Sequence, residues 1–496
     1  MILIKTMTAI PHIPALRGGR EYVSLDTVEL RDHCTGPDAD PVAVVSQVNA
    51  GIIRRDMRKA HGRAAKLREI PMEDLLRMCE ESARIFMEDE LPLGAEEAGG
   101  GTQTPEQYVE MLSRTSGLPH ALARANMVKV ATVMRKIRTI LKGLMRGMDP
   151  AVLDSGIGEH DGVKVWYTPT TDCLGAVLPS NSPGVHSLWV PSIALKTPVV
   201  LKPGREEPWT PLRVARAMIA AGIPSEAFSL YPTDHEGAGN VLDACGRVML
   251  FGDAKITDKY AGDASVEVHG PGHSKVLIGA DEIANWRDHM DVLVNSVADN
   301  GGRSCVNASA IFVPSHAAEI AAELAQRLGS IEPRAAADPE ACLAAFANAA
   351  YAEAMDQMIT NGIAKGGARD VALAQRGGGE RLRKDRGATY LMPTVIHCDS
   401  LEHSLANTEF MFPFVSVVEV PQDKMLSSIG PSLVVSAITR DDEFLAGLTS
   451  SSDIHRLNIG PLPTSRVEWD QPHEGNLFEF LYTRRALQRA QGWGPA

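Results

Sequence analysis

Aromatic residues make up only 5% of this 496-residue chain, cationic residues are fewer than anionic ones, and no cysteine stands in a CxxC pair. Each shortage excludes something. Few rings leave little to stack on bases or sugars, which argues against a single-strand nucleic-acid or carbohydrate platform. With 49 Lys+Arg against 62 Asp+Glu the net charge is −13, the wrong sign for DNA, RNA or an acidic lipid surface. The cysteines, Cys34, Cys79, Cys173, Cys245, Cys305, Cys342 and Cys398, are odd in number and widely spaced. Neither a disulfide framework nor a zinc knuckle is expected, and a reducing compartment fits. A membrane-spanning helix needs about 18 or more apolar residues in a row. The nearest run, Ser187 to Leu201, is broken by two prolines and Lys196, so no membrane span is expected. Met1 to Leu16 is apolar, but Pro11 and Pro14 interrupt it and no small-residue cleavage site follows. No signal peptide is therefore expected, and the expected location is the cytoplasm.

What is present is ordinary globular composition, with 44% hydrophobic residues, 22% charged and 43 glycines. At about 150 residues per domain the length suggests roughly three domain-sized units. Residues 1 to about 40 show no sustained period and are punctuated by Gly18, Gly19, Gly36 and Pro37, which predicts an irregular wrapping arm. From Pro41 to about Met148 a helical period follows, as in Met72, Leu75, Leu76 and Cys79, interrupted by the loop Gly94 to Thr104. Gly156 to Pro169 reads as a hairpin, with the turn Glu159-His160-Asp161-Gly162 before alternating Val163, Val165 and Tyr167.

From Leu174 short apolar strands alternate with helices: Leu174 to Leu178, Pro198 to Lys202, Ala227 to Tyr231, Val248 to Phe251 and Lys275 to Ile278. That alternation predicts an α/β fold with a parallel sheet, and a second α/β block begins near Ala280. The helix after the second strand has Thr210 as its expected N-cap, Pro211 in its first turn and Gly222-Ile223-Pro224 as its stop. The alanine-rich stretch Pro339 to Ala354 reads as a surface helix.

The segment Asn300-Gly301-Gly302-Arg303-Ser304-Cys305-Val306-Asn307 places a cysteine directly after a glycine-rich turn. Free backbone N–H groups there favour a thiolate and later hold an oxyanion, which suits a nucleophile; the plain alternative is an inert buried thiol. His269 and His273 stand four apart, but Pro271 and two glycines forbid the helix that would make them joint ligands, so they read as loop histidines and no metal site is expected.

Gly301 to Val313 resembles the catalytic cysteine segment of the aldehyde dehydrogenase superfamily, and four more segments match it in order. Leu178-Pro179-Ser180-Asn181-Ser182-Pro183 resembles the strand end whose asparagine holds the substrate oxygen, and Val199-Val200-Leu201-Lys202-Pro203 the strand whose lysine meets the adenosine ribose. Met392-Pro393-Thr394-Val395 and Thr408-Glu409-Phe410-Met411-Phe412-Pro413 are similar to the segments around the glutamate that binds the nicotinamide ribose. The resemblance runs from about Ala43 to about Ile459. It implies Cys305 as nucleophile, Asn181 as oxyanion donor, and Pro179, Lys202, Gly252 and Glu409 as cofactor contacts. It also implies NAD or NADP as cofactor, a small-molecule aldehyde as substrate, and oxidation to the acid through a cysteine thiohemiacetal and thioester. The implied architecture is a Rossmann-like dinucleotide-binding domain (1–150 and 171–280) and an α/β catalytic domain (281–455). A hairpin (151–170) and C-terminal tail (456–496) would pair between subunits of a homodimer or homotetramer.

Three points stay open in the sequence. Ser265-Val266-Glu267-Val268-His269-Gly270 resembles the segment of the water-activating glutamate, with Glu267 in that role, though counting back from the next strand lands on Val268. Gly270-Pro271-Gly272 looks more like the CoA-acylating branch, where CoA takes the acyl group. Arg205 stands where NAD-preferring relatives have a glutamate, and it is suited to receive the 2′-phosphate of NADP. Two departures stand beside these: Asp253 after Gly252 puts an acid where a serine meets the cofactor diphosphate, and Gln471-Pro472-His473-Glu474 replaces the usual tunnel segment. The reading from another class is a catalytically silent binding or structural protein on the same fold.

Overall fold

The computed structural model describes residues 10–35, 39–94, 100–488 and 490. Gly36, Pro37, residues 95–99 of the predicted loop and the end of the tail lie outside the described residues.

The alternation of short apolar strands and helices resolves into two seven-stranded sheets. In the first, Val266–His269, Arg247–Phe251, Leu174–Val177, Val199–Lys202 and Phe228–Leu230 lie side by side and parallel. These strands are apolar on both faces because both faces are covered. Val199 and Leu201 pack towards the helices Met72–Glu88, His120–Arg135 and Trp209–Ala220, while Val200 packs the other way against Tyr231, Val241 and Val248. The chain steps from Leu174–Val177 outward to Phe228–Leu230, then crosses back to Arg247–Phe251 on the other side. The reversal opens a crevice at the carboxyl ends of these strands, where open α/β sheets take ligands. The second sheet runs Thr394–Cys398, Phe414–Glu419, Ala308–Val313, Ser274–Ile278, Ser432–Ile438 and Ile454–Ile459 in parallel, with Ala368–Asp370 antiparallel at one edge.

The structure differs from the sequence reading at five places. The strand expected over Lys275 to Ile278 belongs to the second sheet, between Ala308–Val313 and Ser432–Ile438, so the chain changes sheets at Gly270–His273 and not near Ala280. Strand alternation cannot tell which sheet a strand joins. The N-terminal arm is not irregular: Ala15–Arg17 and Arg20–Tyr22 pair across Gly18 and Gly19, both at positive φ, and extend the first sheet. Three-residue strands are too short to show a period. The helix after Val199–Lys202 starts at Trp209, and Thr210 is inside it; the Glu207 carboxylate accepts from both the Thr210 N–H (2.8 Å) and its hydroxyl (2.6 Å). The alanine-rich helix is Ala349–Ala364, capped by Asn348, while Ala345 and Phe346 bond to the backbones of Gly117 and Thr389. Tertiary backbone pairing there outweighs alanine's helix propensity. Finally, Ile157–His160 and Val163–Pro169 form the expected hairpin, but tail strand Tyr482–Arg485 pairs with Val163–Pro169 of its own chain. The short helix Leu477–Leu481 buries Leu477, Phe478 and Leu481 and so delivers the tail there. No helix of the described residues is long and apolar enough to cross a membrane.

Candidate active site

A cavity of about 390 Å³ lies between the carboxyl ends of the first sheet and the amino ends of the second. Pro179, Asn181, Gly252 and His269 line it from the first sheet; Cys305 and Glu409 line it from the second. Cys305 follows a turn that few sequences can make. Asn300, Gly301 and Gly302 all have positive φ (54°, 66° and 68°), and a Cβ on Gly302 would stand 2.4 Å from the backbone of Phe412 and Pro413. Asn307 closes the turn by accepting the Ser304 N–H (2.9 Å), and the buried Arg303 guanidinium ties it to the carbonyls of Ser116 (3.0 Å) and Ala345. The Asn181 amide rests against the same turn, donating to the Arg303 carbonyl at 3.2 Å. Gly272 passes so close that a Cβ there would meet the Cys305 carbonyl oxygen at 2.0 Å.

The expected backbone N–H does favour the Cys305 thiolate, but burial outweighs it. Burial pushes the thiol up to about 12, the Glu474 and Glu409 carboxylates push the same way, and the Lys129 ammonium opposes them. Glu409 is raised to about 7 by its own burial, against the N–H groups of His273 and Gly272. One of its oxygens accepts from the His273 N–H at 2.7 Å; the other is buried without a partner among the described residues.

A groove of about 540 Å³ shares Pro179 with the cavity and runs over the ends of Leu174–Val177, Val199–Lys202 and Phe228–Leu230. Lys202 and Arg205 line it. Burial lowers the Lys202 ammonium, with Glu206 and Asp234 opposing. Arg205 is exposed and has no ion-pair partner among the described residues. Asp253 lines the cavity beside Gly252 and also caps its own helix, one carboxylate oxygen accepting the Ile256 N–H at 3.1 Å.

A smaller apolar funnel of about 90 Å³ shares Lys129, His473 and Glu474 with the cavity, and Glu267 opens into it. Side chains alternate along a strand, so Glu267 and His269 share one face of Val266–His269 and Val268 takes the other. His269 Nδ1 stands 2.6 Å from Glu474 and its Nε2 stands 3.2 Å from Glu267. Its pKa is raised to about 9, because the two carboxylates together outweigh the burial that lowers it. His473, next in line, is held well below its ordinary value by burial and by nearby Arg456 and Lys129.

Residues 102–428 match the model of the aldehyde dehydrogenase family. The chain belongs to the aldehyde dehydrogenase family. It is 24% identical, over 64% of its length and 60% of the relative's, to a Mycobacterium ulcerans protein named putative succinate-semialdehyde dehydrogenase (NADP(+)) 2. The chain thus covers less than two thirds of that relative. It is 28% identical to the aminoacetaldehyde dehydrogenase of Pseudomonas aeruginosa over 49% of each chain. Among solved structures, a complex of indole-3-acetaldehyde dehydrogenase with NAD+ superposes with a TM-score of 0.76 at 16% identity, covering 96% of both chains.

For this aldehyde dehydrogenase family chain, the structure brings Cys305, Asn181, Pro179, Gly252 and Glu409 to one cavity, Lys202 and Arg205 to the adjoining groove, and Glu267 to the funnel. Sequence reasoning missed Lys129 and Glu474 and read His269 as a loop residue. Lys129 had a signal, a charge inside the apolar run Val128 to Met134. The pairing of Glu474 with His269, 205 positions apart, had none.

Proposed function

We propose that this chain oxidises an aldehyde to a carboxylic acid with NAD or NADP, through a thiohemiacetal and a thioester on Cys305. The observation that carries the reading is the meeting of Cys305, Asn181 and the unpartnered Glu409 oxygen in one cavity that adjoins the Lys202–Arg205 groove. A buried acceptor without a donor suits ribose hydroxyls, so the residues fit a dinucleotide: Lys202 and Glu409 would hold its two riboses and Arg205 a 2′-phosphate. A bound dinucleotide would supply the hydride acceptor for this oxidation. The chain's own part is to add the Cys305 sulfur to the aldehyde carbon and to hold the resulting oxyanion with the Cys305 N–H and the Asn181 amide. It then releases the acyl group with a base from the Glu267, His269 and Glu474 cluster.

Cys305→Ala should abolish aldehyde-dependent NAD(P)H formation, and Asn181→Ala should lower kcat by about 10²–10³. Near-normal turnover without the Cys305 sulfur would support the silent-protein reading instead. Product mass with and without CoA separates hydrolysis, the favoured outcome, from acyl transfer to CoA. Cytoplasmic location is proposed from the seven free thiols. Assembly as a homodimer or homotetramer is proposed from the open edge of Ile157–His160, beside exposed Ile157 (38%) and Val163 (52%).

A further inference from the structure

Resting on the reading of Cys305 as an acylated nucleophile, we propose that His269, oriented by Glu474, is the base that activates the deacylating water, with Glu267 a positioning residue beside it. His269 is buried, 6% exposed, and its ring is fixed twice. It stacks on Phe251 with centroids 4.5 Å apart and planes 13° from parallel, and its Nδ1 lies 2.6 Å from a Glu474 oxygen. An ionised carboxylate only accepts, so Nδ1 carries the proton of that hydrogen bond, and in the neutral ring the lone pair is left on Nε2. Nε2 is buried without a hydrogen bond to any described residue, and the Glu267 carboxylate, 3.2 Å away, stabilises the ring's charged form. The ring lines the cavity that holds Cys305, whereas Glu267 opens into the funnel. A carboxylate–imidazole pair lining the cavity that holds Cys305 is an arrangement for moving one proton twice.

The step balances without any further reactant. Water oxygen bonds to the acyl carbon of the Cys305 thioester while one water proton passes to Nε2. The tetrahedral intermediate then collapses, the carbon–sulfur bond breaks, and the leaving sulfur takes that proton from Nε2. Cys305 returns as a thiol and the acid leaves. At about 390 Å³ the cavity has room for a water, whose share of liquid volume is about 30 Å³, beside a small acyl group.

Charged or titratable groups facing this region are Glu267 on the same strand, Glu474 and His473 from the C-terminal segment, Lys129 from His120–Arg135, and Arg456 from Ile454–Ile459. Asp253 lines the same cavity just beyond Arg247–Phe251, and Arg303, Cys305 and Glu409 line it from the opposite wall. Between the two carboxylates His269 is protonated below about 9, so deacylation should rise with pH and level off above that value.

The test uses p-nitrophenyl acetate, which acylates a nucleophile without any dinucleotide. Wild type should release a burst of one nitrophenolate per chain, carry one acetyl group on Cys305 by peptide mass, and deacylate slowly enough to follow. His269→Gln should keep the burst while deacylation falls by about 10²–10⁴, whereas Glu267→Gln should lose less than tenfold. Glu474→Gln should move the midpoint of the pH–deacylation curve down. Deacylation of His269→Gln at the wild-type rate, or a larger loss in Glu267→Gln than in His269→Gln, would overturn the assignment while leaving Cys305 as nucleophile. If His269→Gln gives no burst because it fails to fold, the Glu474→Gln curve decides: a lowered midpoint supports the dyad and an unmoved one overturns it. Absence of any acetyl group on Cys305 in wild type would overturn the underlying reading as well.

Discussion

Single residues carry sharply different burdens in this chain, and glycine shows it best. Gly302 and Gly262 both have positive φ, at 68° and 87°, but an added Cβ would strike backbone at Gly302 and meet nothing within 4 Å at Gly262. The left-handed conformation alone costs an L-residue about 1–2 kcal/mol. Gly262→Ala should therefore lose about that much stability in urea titration, while Gly302→Ala loses more and also inactivates, because the clash displaces the turn before Cys305. Equal losses would mean that the contact with Phe412 and Pro413 does not constrain the turn. Arg205 is instead the residue proposed to set cofactor specificity. A charge-assisted hydrogen bond is worth about 1.5–3 kcal/mol. Arg205→Glu should then shift the NADP to NAD affinity ratio towards NAD by about tenfold or more, read by calorimetry, and an unchanged ratio would remove Arg205 from phosphate binding. Cys305, Asn181 and Glu409 were legible one by one from their motifs. The dyad of His269 and Glu474 was not, since its partners belong to a strand and a distant C-terminal segment.

Among elements, the crossing Gly270–His273 is the most consequential. It ends one sheet and begins the other, and its N–H groups hold Glu409 while Gly272 lets it pass the Cys305 carbonyl. In the sequence it reads as a glycine-proline loop resembling that of the CoA-acylating branch, with no sign that it joins two sheets. Its role depends on which sheet each flanking strand joins, and strands buried on both faces carry no mark of that. The hairpin was legible because its turn is chemical: Asp161 and Gly162, both at positive φ, sit between alternating segments. The three-residue strands of the arm were hidden for the opposite reason, having too few residues to alternate.

For the whole molecule, the tail strand Tyr482–Arg485 matters most. Because it pairs within its own chain, with the Tyr482 hydroxyl donating to the Leu195 carbonyl at 2.9 Å, removing residues 482–496 should lower the melting temperature. The assembly should keep its stoichiometry if subunits meet through the Ile157–His160 edge. Light scattering checks both halves: the intact chain should appear at two or four times 53.4 kDa, and dissociation on truncation would show that the tail acts between subunits. The sequence by itself determined the α/β class, the glycine-rich nucleophile turn and the order of the family motifs. Those features rest on local periods, on the φ angles particular residues tolerate, and on short spacings along one chain. Only the tertiary structure decided which sheet holds Ser274–Ile278, that burial and two carboxylates push the Cys305 thiol up, and that His269 stands between Glu267 and Glu474. Burial and the convergence of distant charges set those properties, and neither exists until the two sheets close on the cavity between them.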